Sequence, residues 1–401
     1  MARYHACQMN RRQVLKALSG LGLATSGLVL FGCRAGASTG PGHTGHAAAA
    51  LQEGAPPPAA TPVLGQRADG TTVWRVLVGG MDMTAGLEVN AFLPAEITVN
   101  AGDSVFFDFG MGGFHNVAFR SGTEALTLFI PDETAGTPAA GGPPKLLFNP
   151  VVAFPTSPAG GETYDGTGDL NSGVSVFRDP AVPFAPTFTT PGTYECRCEI
   201  RPGMVAKITV QEAGGQLPMD QAAIDQLAAD QLADYLARGR ALIAQYSQPR
   251  ATPSAGGATV HEVAAGVNDG QVEPLRFLPA EVSIKAGDTV RWTNLSQISP
   301  HTVTFLGGEP PVEGIVPEPQ PAGPPKFVLN PASFFPSQKP AAYDGQGLVN
   351  SGYIGQARTF NGAEFELTFD TPGEYRYYCI LHAGGPDDPI TESMVGRITV
   401  S

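Results

Sequence analysis

The chain has 401 residues, enough for two or three domains that each bury their own core. Gly (50) and Pro (37) are abundant and charged side chains make up only 15%, a profile that favours loop-rich β structure over helical bundles. Against 24 basic residues stand 37 acidic ones, a net charge of −13 with no basic stripe, which argues against nucleic acid as a partner and for cationic partners drawn by long-range attraction. Of the five cysteines, Cys7 and Cys33 lie near the start, so only Cys196, Cys198 and Cys379 remain, too few for a disulfide framework.

Residues 1–33 read as an export leader: Arg11-Arg12 and Lys16, then an apolar run, then Leu30-Phe31-Gly32-Cys33. The arginine pair followed by Val14-Leu15-Lys16 resembles a twin-arginine signal, and Leu-Phe-Gly-Cys resembles a bacterial lipobox. The expectation is an extracytoplasmic protein, anchored to the membrane by a lipid on Cys33 or, if the signal is simply cleaved, released as a periplasmic or cell-surface protein. Residues 34–69 are rich in Gly, Ala and Pro and form a flexible tether, with His43 and His46 as solvated linker residues.

An internal repeat follows. Phe92-Leu-Pro-Ala-Glu and Ala101-Gly-Asp recur as Phe277-Leu-Pro-Ala-Glu and Ala286-Gly-Asp; His115-Asn-Val-Ala-Phe recurs as His301-Thr-Val-Thr-Phe. Pro143-Pro-Lys, Asn149-Pro, Tyr164-Asp-Gly and Asn171-Ser-Gly recur from Pro324, Asn330, Tyr343 and Asn350. Thr190-Pro-Gly-Thr-Tyr recurs at Thr371, and Lys207-Ile-Thr-Val at Arg397. Two tandem copies of one domain, 70–212 and 257–401, are expected. Alternating segments such as Ile97-Thr-Val and Val282-Ser-Ile, split by Gly/Pro turns, predict an antiparallel sandwich or barrel. Between the copies, in a linker spanning 213–256, Ile224, Leu227, Leu232, Tyr235, Leu236, Leu242 and Ile243 recur at helical spacing after Asp220, a candidate N-cap. The long segment between the early His and the late Cys of each copy reads as an excursion bracing its own sandwich, the alternatives being a cover for the site or a docking surface.

The second copy carries a metal-ligand pattern. Pro300-His301 follows a strand; Tyr377-Tyr378-Cys379-Ile-Leu-His382 supplies Cys-x2-His; Met394 stands just before the last strand. A type 1 copper centre requires two imidazoles and a thiolate in a near-trigonal plane with a weak axial thioether. In order and local context the sequence resembles the small blue copper proteins of the plastocyanin/halocyanin/auracyanin group (cupredoxins). The resemblance implies cupredoxin-like Greek-key β-sandwiches; with the repeat and the helical spacing, the expected fold is all-β, two tandem such domains joined by one long α-helix. The resemblance also implies one type 1 copper ion, with His301, Cys379 and His382 as equatorial ligands and Met394 as the axial one. One departure is the eleven-residue stretch Ala383–Ser393 between His382 and Met394, longer than in plastocyanin-like domains.

In the first copy, His115, Cys198 and Met204 match His301, Cys379 and Met394, but Arg201 stands at the place of His382. A guanidinium has no lone pair to offer a metal, so this copy is expected to be structural, with Cys196 a small buried hydrophobe. The resulting reading is a protein that carries single electrons, not an enzyme, working with a cytochrome or a terminal oxidase or reductase. The alternative is copper sequestration or delivery through a soft His115/Cys198/Met204 site. A two-domain copper oxidoreductase lacks ligands, since only His115, His261, His301 and His382 fall inside the domains.

Overall fold

The computed structural model describes residues 62–110, 112–122, 126–135, 144–179, 181–356, 360–388 and 393–401. The leader expected over 1–33, with its Cys33 anchor, and most of the tether lie outside the described residues. The fold is all-β, with one long helix.

The first copy is a sandwich of two sheets. In one, Thr72–Asp82 runs between Leu87–Leu93 and Ser104–Asp108; the other has the order Leu170–Asn171, Ala118–Phe119, Gly192–Arg197, Val205–Gln211, Glu96–Asn100. The second copy repeats this. Thr259–Ala264, Thr289–Thr293 and Glu364–Thr368 face a sheet ordered Glu281–Ile284, Val395–Val400, Gly373–Tyr378, Thr304–Phe305, Val349–Asn350. The expectation of antiparallel sheets needs correction: Thr72–Asp82 pairs parallel with Ser104–Asp108, and Val205–Gln211 with Glu96–Asn100. Strands that are neighbours in space but not in sequence are joined by crossovers and can run the same way. Aromatic side chains fill the space between the sheets: Phe92, Phe107, Phe119 and Phe188 in the first copy, Phe277, Trp292, Phe305 and Tyr377 in the second, all fully buried. Each contributes roughly 1.5–3 kcal/mol or more of apolar burial.

The two copies meet through like positions. Leu87–Leu93 pairs antiparallel with Val272–Pro274, placing Val89 opposite Val272, Glu88 opposite Glu273 and Leu87 opposite Pro274. Counted back from Phe92 and Phe277, Glu88 and Glu273 are the same position of the repeat. Such self-pairing is the mark of a two-fold axis, here within one chain.

A second sheet repeats the relation. The long segments form two hairpins, Phe129–Pro131 with Leu146–Phe148 and Ile315–Glu318 with Lys326–Leu329, which join where Leu147 faces Val328. Lys145 reaches Glu318 at 2.6 Å, Lys326 reaches Asp132 at 2.9 Å, and the Phe177 ring stacks on Phe327 at 3.9 Å. The excursions therefore brace one sandwich against the other rather than each against itself. A hairpin that leaves an edge open finds a partner in its own duplicate.

The helix runs Gln221–Tyr246, capped by the Asp220 carboxylate, which accepts from Ala223 N–H at 2.9 Å. Such a cap contributes about 1 kcal/mol. Leu232, Tyr235 and Leu236 cover Val89, Ala91 and Val272 across the seam, while Leu242, Ile243 and Tyr246 cover Ala264, Val267 and Leu278. The helix thus clamps both copies along their shared strand pair.

Candidate metal centre

In the second copy the strand Thr289–Thr293 leads to Asn294, whose side-chain amide donates to the carbonyls of Ser299 and Ile354 at 3.0 and 2.9 Å. This ties down the loop before His301. His301 then exchanges both backbone hydrogen bonds with Ile354, so its side chain leaves a fixed point. Gly266 makes room for it: a Cβ there would lie 2.5 Å from His301 Cδ2 and 2.4 Å from Asn294 Oδ1. Cys379 follows the strand Gly373–Tyr378, and its N–H bonds the Met394 carbonyl at 2.9 Å. Within the turn that follows, His382 N–H bonds back to the Cys379 carbonyl at 3.2 Å, folding the imidazole over the thiol.

His301, Cys379 and His382 converge. His301 Nδ1 lies 3.1 Å from His382 Nδ1, and Cys379 Sγ lies 3.8 and 3.4 Å from those two nitrogens. A point equidistant from the three atoms is about 2.0 Å from each, the length of a metal–imidazole bond and slightly short of a metal–thiolate bond. Among the described residues this is the one group of three His, Cys or acidic side chains whose donor atoms could hold a metal ion together. His301 and Cys379 are buried and His382 is partly exposed. The donor set, two imidazoles and a thiolate, suits copper of type 1 character. Thr302 N–H points at Cys379 Sγ from 3.3 Å. Met394 is fully buried in the same core as Cys379, its backbone adjoining that residue.

Behind His301 stands a residue the sequence reading missed. Glu273, fully buried, accepts from His301 Nε2 at 3.0 Å. Burial works to raise its carboxyl, but bonds from His301, Ser296 and Ser299 outweigh that and hold it below the usual carboxylate range. For His301 burial opposes protonation, yet the Cys379 and Glu273 contacts prevail and raise the imidazole to about 9. A carboxylate on the far nitrogen of a liganding imidazole fixes which nitrogen faces the metal. A signal was available: an acidic residue four places before Phe-Leu-Pro-Ala-Glu occurs in both copies.

The first copy keeps half of the arrangement. His115 Nδ1 and Cys198 Sγ are 3.8 Å apart, as in the second copy, and Cys198 N–H bonds the Met204 carbonyl at 2.9 Å. The Arg201 side chain is held by other partners, its Nη2 donating to Glu88 at 2.9 Å and its Nη1 to Ser299 of the second copy at 2.6 Å. His115 Nε2 meets no hydrogen-bond partner, and burial together with the Arg201 charge pulls the imidazole down to about 3. Cys196, Cys198 and Cys379 are all free and buried, and burial pushes the Cys196 and Cys198 thiols up. His261 bonds Asp288 at 3.2 Å, as Trp74 Nε1 bonds Asp103 at 2.9 Å in the first copy. That places His261 in a structural turn contact.

Residues 261–401 match the family model of copper binding proteins, plastocyanin/azurin family. Chloroplastic plastocyanin of Tetradesmus obliquus is 30% identical over 126 residues, 31% of this chain and 59% of the relative. That of Oryza sativa subsp. indica is 28% identical over 147 residues, 37% of this chain and 67% of the relative. The chain thus spans under two thirds of the length of the first of these. A solved Cu(I) structure of a methionine-to-alanine variant of amicyanin aligns at 21% identity over 39% of this chain and 93% of its own, with a TM-score of 0.20.

Proposed function

We propose that this chain, whose residues 261–401 match the family model of plastocyanin/azurin copper-binding proteins, is a blue copper protein that carries single electrons between redox partners outside the cytoplasm. The observation that carries the reading is the convergence of His301 Nδ1, His382 Nδ1 and Cys379 Sγ on one point at bonding distance. His301, Cys379 and His382 would hold the copper in this reading, and Met394, buried beside Cys379, would be the remaining donor. Bound copper would supply a one-electron couple. The chain's own contribution is to hold the donors in a near-trigonal set before the metal arrives, so that little rearranges between oxidation states.

The ligand set also decides where partners dock. His301 and Cys379 are sealed inside, whereas His382 reaches the surface, so electrons enter or leave across His382. The acidic chain favours a cationic partner surface, such as that of a cytochrome or of a terminal oxidase or reductase. No helix among the described residues is long and apolar enough to cross a membrane, and membrane attachment in this reading is through lipid on Cys33.

Absorption spectroscopy of the copper-loaded protein tests the reading. One copper per chain and one intense thiolate-to-Cu(II) band are expected, lost in Cys379→Ser and retained in Cys198→Ser. A colourless protein that holds only Cu(I) would instead point to sequestration or delivery and sink the electron-carrier reading.

A further inference from the structure

We infer that Arg201, the residue that disqualifies the first copy as a metal site, is a positioning residue for the metal site of the second. This rests on the reading of His301 as a copper ligand. The argument starts from the strand pair at the two-fold axis. Glu88 and Glu273 are directly opposite in that antiparallel ladder, 3% and 0% exposed. Two carboxylates so placed repel each other, and a buried charge without a partner costs several kcal/mol. Of the charged side chains that bond to them, Arg201 is the one cation fixed whatever the pH, since a guanidinium does not lose its proton in a protein.

Its two ends do different things. Nη2 donates to Glu88 Oε2 at 2.9 Å and neutralises that side of the pair. Nη1 donates to Ser299 Oγ at 2.6 Å, which turns the hydroxyl so that its own proton goes to Glu273. Glu273 accepts in turn from His301 Nε2 at 3.0 Å. A continuous chain of donors therefore runs Arg201, Ser299, Glu273, His301, all buried, from the first copy into the ligand shell of the second. It holds His301 with Nε2–H on the carboxylate and Nδ1 turned toward Cys379. The substitution of Arg for His at the end of Cys-x2-His thus exchanged a ligand for an outer support of the neighbouring centre.

Charge fixes the direction of the effect. Without Arg201 the two carboxylates stand uncompensated behind His301 and favour Cu(II) over Cu(I). Without the Glu88 charge, Arg201 stands uncompensated and favours Cu(I). In the full-length copper protein, Arg201→Met is expected to lower the reduction potential by roughly tenfold in the equilibrium constant, ~59 mV for one electron. Glu88→Gln is expected to raise it, and the double variant to return close to the parent. Arg201→Lys, which keeps the charge but not both bonds, should fall between the parent and Arg201→Met. A merely structural ion pair predicts otherwise: both single variants lose stability together and leave the potential where it was.

Opposite shifts support the proposal; unchanged potentials, or shifts of one sign, in variants that keep the thiolate-to-copper band overturn it. Should Arg201→Met fail to fold, Glu88→Gln, near-isosteric with the residue it replaces, and Arg201→Lys still decide. If the parent protein itself lacks that band, it is the electron-carrier reading that has failed, not this one.

Discussion

The His115 and His301 pockets occupy like positions of a repeated sequence and differ most in what stands behind one imidazole. Both histidines are fully buried, both have Nδ1 3.8 Å from a cysteine sulfur, and both lie against a glycine that leaves them room. His301 has a carboxylate on Nε2 and is raised to about 9; His115 has no partner on Nε2, faces a guanidinium, and is pulled to about 3. The single exchange of His for Arg at the third position accounts for much of this. Arg201 draws Glu88 to itself, whereas in the second copy Glu273 stays on the histidine. The two like pockets thus differ in how their imidazoles are supported as well as in one side chain.

The sharpest attempt to break the comparison is Arg201→His. Cys198-x2-His then has the spacing of Cys379-x2-His382, and His115 and Cys198 already stand at the right separation. Copper per chain, measured by metal analysis with the Cys379→Ser background as control, is expected to rise from one to two. A chain that stays at one copper would mean that the missing ligand is not what separates the two pockets.

Gly266→Ala probes the intact pocket from its back wall. The new Cβ would press within 2.5 Å of the His301 ring and of Asn294 Oδ1, so imidazole or loop has to move. A loss of copper affinity of tenfold or more is expected, read by competition with a chelator, together with a weakened thiolate-to-copper band. The effect should exceed that of a surface Gly→Ala such as Gly122→Ala, where nothing is close.

A third effect is in acid. Unfolded, His115 takes up a proton near 6.5; folded, only near 3. Between those values the unfolded chain holds a proton that the folded one refuses. Stability is therefore complete above pH 6.5 and is lost as the pH falls toward 3, by about 1.4 kcal/mol per unit from this group alone. Urea unfolding of the copper-loaded protein at pH 6.5 and 5 should show a fall of about 2 kcal/mol attributable to His115. His115→Phe should remove that part of the slope; an unchanged slope would mean the imidazole is not held neutral.

Much of the centre was legible because its chemistry is local. Cys379 and His382 lie within one turn, so spacing along the chain alone brings them close; His301, 78 positions before Cys379, is brought there by the pairing of Thr304 with Tyr378. The helix was equally readable, since its periodicity and its Asp220 cap are properties of consecutive residues. What the chain order could not reveal was the partnership between the copies. Glu88 opposite Glu273, Leu147 opposite Val328, and Arg201 on Ser299 join residues 185, 181 and 98 positions apart. Strand pairing is written in backbone hydrogen bonds that every residue but proline can make, so neither partner nor register shows in side-chain pattern. Burial of both glutamates became tolerable only once folding delivered a guanidinium and an imidazole to them. The sequence by itself determined a repeated sandwich and one complete set of copper donors; the tertiary structure decided that the incomplete copy stands behind the complete one, because only packing could bring their charges together.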